Sequence, residues 1–236
     1  MRNAGFRLRQ RLPTRIPDAG HPRQRAREHE VPTADGPAAA KRSVFGALAA
    51  SWDAAKPEEA VAAGVGRGLA LLGDLAGLVV VDIGCGPGRL EPFLLPHLGT
   101  GRVVAVDFAP EMIAKGAGLC PDPRVTWLCR DVLDTGLDDS CADLVLCFNA
   151  FPHFPDPEAV LREARRWLAP GGRLLLWHDI GRERLAEVHR RAGRAVEGDL
   201  LLPAATLAAT ARSVGLLVER AGEDETSYTF LARRPA

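Results

Sequence analysis

The stretch Val80-Val-Asp82-Ile-Gly84-Cys-Gly86-Pro-Gly88 decides the fold of this chain. The apolar, β-branched run at residues 78–83 predicts a buried strand, and the pattern that follows predicts a helix from Leu90. Glycines at such a strand-to-helix turn permit positive φ angles and let a ligand approach the backbone closely. The stretch therefore predicts a ligand-binding loop at the end of a buried strand.

The spacing of this loop is G-x-G-x-G, with an acidic residue, Asp82, before it. The dinucleotide fingerprint G-x-G-x-x-G would place its third glycine at position 89, where this chain has Arg89. A carboxylate at Asp82 would repel a pyrophosphate and attract an ammonium group. The loop thus favours an amino-acid-like cofactor over NAD.

Six further strand patterns follow, at residues 102–106, 125–129, 143–148, 173–177, 216–220 and 228–232. Helical patterns follow the first, second, fourth and fifth of the seven strands, and one more helix, residues 203–213, precedes the last two. We therefore expect an α/β fold, a Rossmann-like doubly wound sheet of seven mostly parallel strands. The last two strands have no helix between them, so they predict an antiparallel C-terminal hairpin. Pro170-Gly-Gly172 predicts a sharp turn before the fifth strand.

Two more acidic residues stand where a nucleoside would bind. Asp107 ends the second strand, where a carboxylate can accept hydrogen bonds from ribose hydroxyls, although a helix-capping role is the alternative. Phe108 and Met112 follow it and could flank a flat base. Asp131, after the third strand, could accept from an exocyclic amine such as adenine N6, or could be an ordinary turn residue.

With these motifs in order, residues 78–177 resemble the class I S-adenosylmethionine-dependent methyltransferases, in the type 11-like group that acts on small molecules. The resemblance rests on Val81–Gly88, Val104–Asp107, Arg130–Val132, Asp143–Asn149 and Leu168–Leu175. It implies S-adenosylmethionine as cofactor: glycines near the methionine moiety, Asp82 near its ammonium, Asp107 on the ribose, Asn149 beside the sulfonium. The implied cofactor-binding set is Asp82, Gly84, Cys85, Gly86, Gly88, Asp107, Phe108, Met112, Asp131, Val132 and Asn149.

The acceptor side should come from the ends of strands four and five. We expect His153, His178 and Asp179 as candidate catalytic residues, with a histidine base and an orienting carboxylate as one interpretation. His189 could join them, so that three histidines converge above the sheet. A metal site and a merely solvated surface helix are the alternatives, and we predict no metal.

Charge divides the chain. Residues 1–42 hold ten Lys or Arg and four acids, so they carry +6, while the whole chain is neutral and residues 43–236 carry −6. The Arg- and Pro-rich segment cannot bury enough apolar surface to fold. We expect a disordered basic leader at 1–42 and one methyltransferase domain at 43–236. A nucleic-acid or membrane arm and a targeting segment are alternatives for the leader.

These patterns together predict an enzyme that moves the methyl group of S-adenosylmethionine to a small molecule by in-line displacement. A catalytically silent cofactor-binding protein and an NAD(P) oxidoreductase are the alternatives. The acidic core disfavours a nucleic-acid substrate. Five cysteines without a C-x-x-C pair favour a cytoplasmic protein, and no apolar run indicates a membrane span. We expect a monomer or homodimer.

Overall fold

The computed structural model describes residues 37–49, 58–194 and 196–236. Our predictions for residues 1–36 fall on residues outside these ranges. So does Pro57, the first residue of a helix that the sequence pattern predicts to run to about Leu75. The helices are α1 (Pro37–Ala49), α2 (Glu58–Leu69), α3 (Glu91–Leu98), α4 (Pro110–Leu119), α5 (Pro157–Trp167), α6 (Arg182–Ala192) and α7 (Ala204–Ser213). The strands are β1 (Val79–Ile83), β2 (Arg102–Asp107), β3 (Val125–Cys129), β4 (Ala142–Phe148), β5 (Leu168–His178), β6 (Leu217–Glu223) and β7 (Tyr228–Arg233).

The seven strands form one sheet in the order β3-β2-β1-β4-β5-β7-β6. Strands β1 to β5 are parallel, whereas β7 lies antiparallel between β5 and β6. The order reverses between β1 and β4, so the carboxyl ends of these neighbours border the crevice where such sheets bind ligands. The predicted fold class and the predicted antiparallel C-terminal hairpin are confirmed.

Two apolar cores cover the two faces of the sheet because its central strands are buried on both sides. One core includes Trp167 of α5, Leu207 of α7 and Phe230 of β7. The other includes Val65 of α2, Leu94 of α3 and Trp177 of β5. Alternate residues of β1 point to opposite faces. The sheet therefore holds the loop after β1 on a rigid base.

Two local predictions differ from the structure. The predicted helix to Leu75 ends at Leu69, since residues 70–72 form a turn and Gly73 adopts a φ of 70°. The predicted turn at Pro170–Gly172 is a bulge inside β5, where Gly171 has a φ of 79° and the pairing with β4 shifts register. The N–H of Gly171 donates to the carbonyl of Arg234 at 3.1 Å, which keeps this segment in the sheet.

Helix α1 begins at Pro37, inside the segment that we expected to be leader, and packs on α4. Its Phe45 and Ala49 join Ala109 and Met112 in a third small apolar cluster. Lys115 of α4 also donates to the carbonyl of Ala49 at 2.7 Å. Helix α1 thus lies against the loop and helix that follow β2.

Candidate functional site

The loop between β1 and α3 has the backbone that only glycine adopts freely. Gly84, Gly86 and Gly88 have φ angles of 67°, 56° and 81°. A Cβ on Gly84 would lie 2.4 Å from the Cβ of Ala150, and one on Gly88 would lie 2.5 Å from the Trp127 ring. A Cβ on Gly86 would meet nothing within 4 Å. The outer two glycines are needed for packing, while Gly86 faces open space that a ligand could enter.

Asp107 at the end of β2 fixes this loop. Its Oδ2 accepts from the N–H of Gly86 at 3.0 Å, and its Oδ1 accepts from the N–H of Ala109 at 2.9 Å. Burial raises the pKa of Asp107, and these backbone hydrogen bonds oppose the rise. Each carboxylate oxygen has a second lone pair. Asp107 can therefore hold the loop and still accept a hydrogen bond from a ligand hydroxyl.

Asp82 lies beneath the loop in contact with Glu91, the first residue of α3. Their side chains are 2% and 0% exposed. Asp82 Oδ1 and both Glu91 oxygens lack a well-formed hydrogen bond to an N–H or hydroxyl group of the described residues. Burial, followed by the Glu91 charge, raises the pKa of Asp82 well above its usual range. Two buried carboxyl groups in contact favour a shared proton or a nearby cation.

Phe108 and Met112 lie where α1 packs against the site. Met112 is 1% exposed, in the cluster that holds Phe45. The rings of Phe45 and Phe108 meet edge-on with centroids 6.0 Å apart, and the Arg42 guanidinium lies 5.9 Å from the Phe108 centroid. Helix α1 thus contacts the two side chains that we expected to flank a flat base.

The remaining residues that we expected to bind the cofactor differ in their exposure and in their contacts. Asp131 is exposed, and its Oδ1 accepts from the N–H of Leu133 at 2.9 Å, the turn geometry that we gave as its alternative. The side chain of Val132 is buried in the core, so only its backbone could meet a ligand. The Cys85 thiol is buried and contacts the carbonyl of Gly86 at 3.6 Å, and burial raises its pKa well above its usual value.

Asn149 follows β4 in a left-handed conformation, with a φ of 55°. Its Nδ2 donates to Asp179 Oδ1 at 3.0 Å, and its Oδ1 accepts from the N–H of Asp179 at 3.2 Å. A non-glycine residue with positive φ persists only where its surroundings hold it. The paired hydrogen bonds do this, and they join the ends of β4 and β5.

Two of the three histidines that we expected to converge lie together. The rings of His153 and His189 have centroids 4.9 Å apart. His178 is 1% exposed and packs edge-on against Tyr228 at 6.0 Å. Because Trp177 bonds to α2 on one face of the sheet, its neighbour His178 points to the other face.

Sequence reasoning missed Lys41, Glu91 and Asp199. Lys41 Nζ donates to Asp199 Oδ1 at 2.6 Å, and Asp199 Oδ2 lies 2.7 Å from His153 Nδ1. Contacts between such distant positions leave no periodic signal in the sequence. Among residues 37–49, 58–194 and 196–236, no group of three or more His, Cys, Asp or Glu is arranged to hold a metal ion.

Comparison with known proteins identifies the fold. The fold is that of the S-adenosylmethionine-dependent methyltransferases of class I. A chain from a structure described as the "complex between the Haloferax volcanii Trm112 methyltransferase activator and the putative methyltransferase" superposes with a TM-score of 0.71, at 22% identity, over 81% of this chain and 98% of that one. A SAM-dependent methyltransferase from Aquifex aeolicus gives 0.65, at 20% identity, over 80% and 97%.

Residues 81–176 match the model of a methyltransferase domain family. The resemblance seen in the sequence is confirmed. A ubiquinone biosynthesis O-methyltransferase of Xanthomonas oryzae pv. oryzae is 39% identical over 106 residues, which are 44% of this chain and 44% of that protein. The chain thus matches less than half the length of these curated relatives.

Proposed function

We propose that this protein binds S-adenosylmethionine and transfers its methyl group to a small-molecule acceptor. When bound, the sulfonium supplies an electrophilic methyl carbon. The observation that carries the proposal is the glycine loop tied to Asp107, with open space at Gly86. A ligand that reaches Gly86 also reaches the carboxylate that ends β2, which suits a nucleoside joined to an amino acid.

The other residues fit this cofactor in the same order along the chain. The loop beside Asp82 would take the methionine moiety, and the buried Asp82 and Glu91 carboxyls, which lack well-formed N–H or hydroxyl partners, suit a nearby cation. Asp107 would take the ribose, with Phe108 and Met112 beside the base. Asp131 and the Val132 backbone would meet the adenine edge, and Asn149 would border the methyl group.

The acceptor would approach over the ends of β4 and β5, where Asn149, His153 and Asp179 lie. Transfer requires an in-line approach to the methyl carbon and exclusion of water. The curated relatives are named O-methyltransferases, which makes an oxygen acceptor the first to test.

Calorimetry with S-adenosylhomocysteine against NAD tests cofactor binding. Gly86→Ala should weaken S-adenosylhomocysteine binding at least tenfold, because its Cβ enters the open space. Gly99→Ala is the matched control, since Gly99 has a φ of 55° and also faces open space. Equal losses in both variants, or binding of NAD alone, would contradict the proposal. Release of S-adenosylhomocysteine with thiol, phenol, amine and carboxylate acceptors then tests turnover and separates an enzyme from a silent binding protein.

We further propose that the protein works in the cytoplasm, as a monomer or homodimer, without a nucleic-acid partner. All five cysteines are free thiols, which suits a reducing compartment. The net charge of −6 over residues 43–236 opposes binding to phosphate backbones. None of the helices in the described part of the chain has the length and apolarity that a membrane crossing requires. Cell fractionation and sedimentation would test compartment and assembly.

A further inference from the structure

Asp199 joins three separate parts of the fold at the edge of the candidate site. Its Oδ2 lies 2.7 Å from Nδ1 of His153, in the single helical turn Phe151–His153 that follows β4. Its Oδ1 accepts from Nζ of Lys41 in α1 at 2.6 Å. Asp199 itself lies in the connection between α6 and α7. Both carboxylate oxygens are therefore committed to donors from other elements.

These three side chains are largely buried, but each keeps some contact with solvent. Lys41, His153 and Asp199 are 19%, 16% and 12% exposed. Burial alone would raise the pKa of Asp199, but its hydrogen bonds with His153 and Lys41 outweigh burial and hold that pKa below its usual value. Asp199 is thus a carboxylate at neutral pH, and it can only accept hydrogen bonds.

The carboxylate fixes the tautomer of His153. Because Asp199 Oδ2 only accepts, Nδ1 of the ring must carry the hydrogen, and Nε2 of the neutral ring keeps a free lone pair. The ring is also held by packing, with Phe45 edge-on at 4.8 Å and His189 at 4.9 Å. Lys41 Nζ donates in addition to the carbonyl of His153 at 3.2 Å. A ring held in this way can only exchange a proton through Nε2.

The position of His153 connects it to the cofactor-binding loop. Ala150 and Phe154, on either side of its turn, lie where a Cβ on Gly84 would stand. The charge of His153 acts on Asp107 and lowers the pKa of Asp107, although burial raises that pKa by more. The turn that bears His153 therefore packs against the glycine loop, and His153 is close enough to the end of β2 to act electrostatically on Asp107.

We propose that Asp199 is a positioning residue that holds His153 as a general base, and that the acceptor is a hydroxyl group, such as a phenol, that must lose its proton during transfer. The inference rests on the proposed function. The acceptor oxygen forms a bond to the methyl carbon as the carbon–sulfur bond breaks. The electron pair of that bond goes to sulfur, which becomes a neutral thioether, and the hydroxyl proton goes to His153 Nε2.

The charges around His153 suit this role. Asp199 and Asp107 are acids that stabilise a protonated ring, whereas Lys41 offsets part of that effect. Burial lowers the pKa of His189, which stays neutral beside His153 and donates from Nδ1 to the Asp199 carbonyl at 2.6 Å. The imidazolium that forms during transfer therefore has a carboxylate partner at hydrogen-bond distance.

The first test is nitrogen NMR of the histidine rings in the protein without ligand. His153 should appear as the Nδ1–H tautomer. In Asp199→Asn, whose side-chain amide can donate as well as accept, the Nε2–H tautomer should also be populated. Asp138→Asn, at an exposed position, is the matched control. An Nε2–H tautomer for His153 in the unmodified protein, or an Nδ1–H tautomer that Asp199→Asn leaves unchanged, would overturn the proposed role of Asp199.

The second test measures turnover and S-adenosylhomocysteine affinity together, with phenol and the more acidic 4-nitrophenol as acceptors. His153→Gln should lower kcat for phenol by roughly 10²- to 10⁴-fold. The loss should be much smaller for 4-nitrophenol, which ionises in water, and affinity for S-adenosylhomocysteine should change less than threefold. Asp199→Asn should lower kcat for phenol and move the acidic limb of the pH–rate profile to lower pH. His97→Ala, at an exposed position, is the control.

Each negative result of the second test contradicts a different part of the proposal. Equal losses on both phenols, or a loss of affinity that matches the loss of kcat/KM, would make His153 a structural or cofactor-binding residue and overturn the inference. Tight S-adenosylhomocysteine binding with transfer only to thiols or amines would overturn the hydroxyl acceptor and leave the proposed function standing. No S-adenosylhomocysteine binding by the unmodified protein would overturn both.

Discussion

Glu91 contacts Asp82 directly beneath the glycine loop, and both carboxyl groups are almost fully buried. Burial raises the pKa of Glu91 to about 7. Three nearby groups oppose this rise in the pKa of Glu91: the Asp82 side chain and the backbone N–H groups of Leu90 and Glu91. None of them forms a well-aligned hydrogen bond to the Glu91 carboxyl. The first turn of α3 therefore buries an acid that retains its proton near neutral pH.

The buried Glu91 carboxyl predicts that the free energy of unfolding depends on pH. Glu91→Gln should make this dependence on pH smaller. Below pH 4.5 the carboxyl is protonated in both the folded and unfolded states. As the pH rises towards 7, the unfolded state releases the proton first, so the free energy of unfolding falls, by roughly 3 kcal/mol at most for a shift of this size. Glu91→Gln should therefore be more stable than the unmodified protein at pH 8 and should lose that advantage near pH 4.5.

Urea unfolding at several pH values measures this difference. Glu183→Gln, an exposed acid in the first turn of α6, is the matched control. If both variants follow the same trend with pH, the burial of Glu91 is not the cause.

Helix α2 contains two glycines at which substitution by alanine should have opposite effects on stability. A Cβ on Gly68 would lie 2.5 Å from the Trp177 ring, whereas one on Gly66 would meet nothing within 4 Å. Gly68→Ala should destabilise the protein by about 1–3 kcal/mol because the helix must move off Trp177. Gly66→Ala should stabilise it by roughly 0.5–1 kcal/mol through helix propensity alone. Thermal unfolding of both variants checks the pair, and a stabilising Gly68→Ala would show that α2 does not pack as closely as described.

The sequence predicts the sheet and the glycine loop well because both depend on local patterns. The apolar run before Gly84 and the alternating helices are sufficient for the parallel strands, and the missing helix before Tyr228 is sufficient for the antiparallel hairpin. The Lys41–Asp199 contact could not be predicted in this way, since it spans 158 residues and neither residue belongs to a motif. The bulge at Gly171 was also missed, because Pro-Gly-Gly suits a turn equally well.

The contact of Lys41 with Asp199 predicts how firmly α1 is held. Lys41→Met removes its hydrogen bonds to Asp199 and to the His153 carbonyl. Because these groups are partly exposed, we expect a loss of about 1 kcal/mol in the local stability of α1, or roughly fivefold faster amide exchange in residues 39–49. Hydrogen exchange read by mass spectrometry measures this. Arg67→Met, an exposed cation in α2, is the control. Unchanged exchange in α1 would mean that its apolar contacts with α4 alone hold it.

Because Asn149 has a left-handed backbone conformation, substitutions there can separate the contribution of its backbone to stability from that of its side chain. Asn149→Ala and Asn149→Gly both lose the paired hydrogen bonds with Asp179, but only glycine adopts a φ of 55° without strain. Asn149→Gly should therefore be the more stable of the two by about 1 kcal/mol, although both should be less stable than the unmodified protein. Chemical unfolding of the three proteins under one condition measures this order. Equal stability of the alanine and glycine variants would show that residue 149 leaves the left-handed conformation once the Asp179 contact is lost, and that this contact alone maintains the bend between β4 and the turn bearing His153.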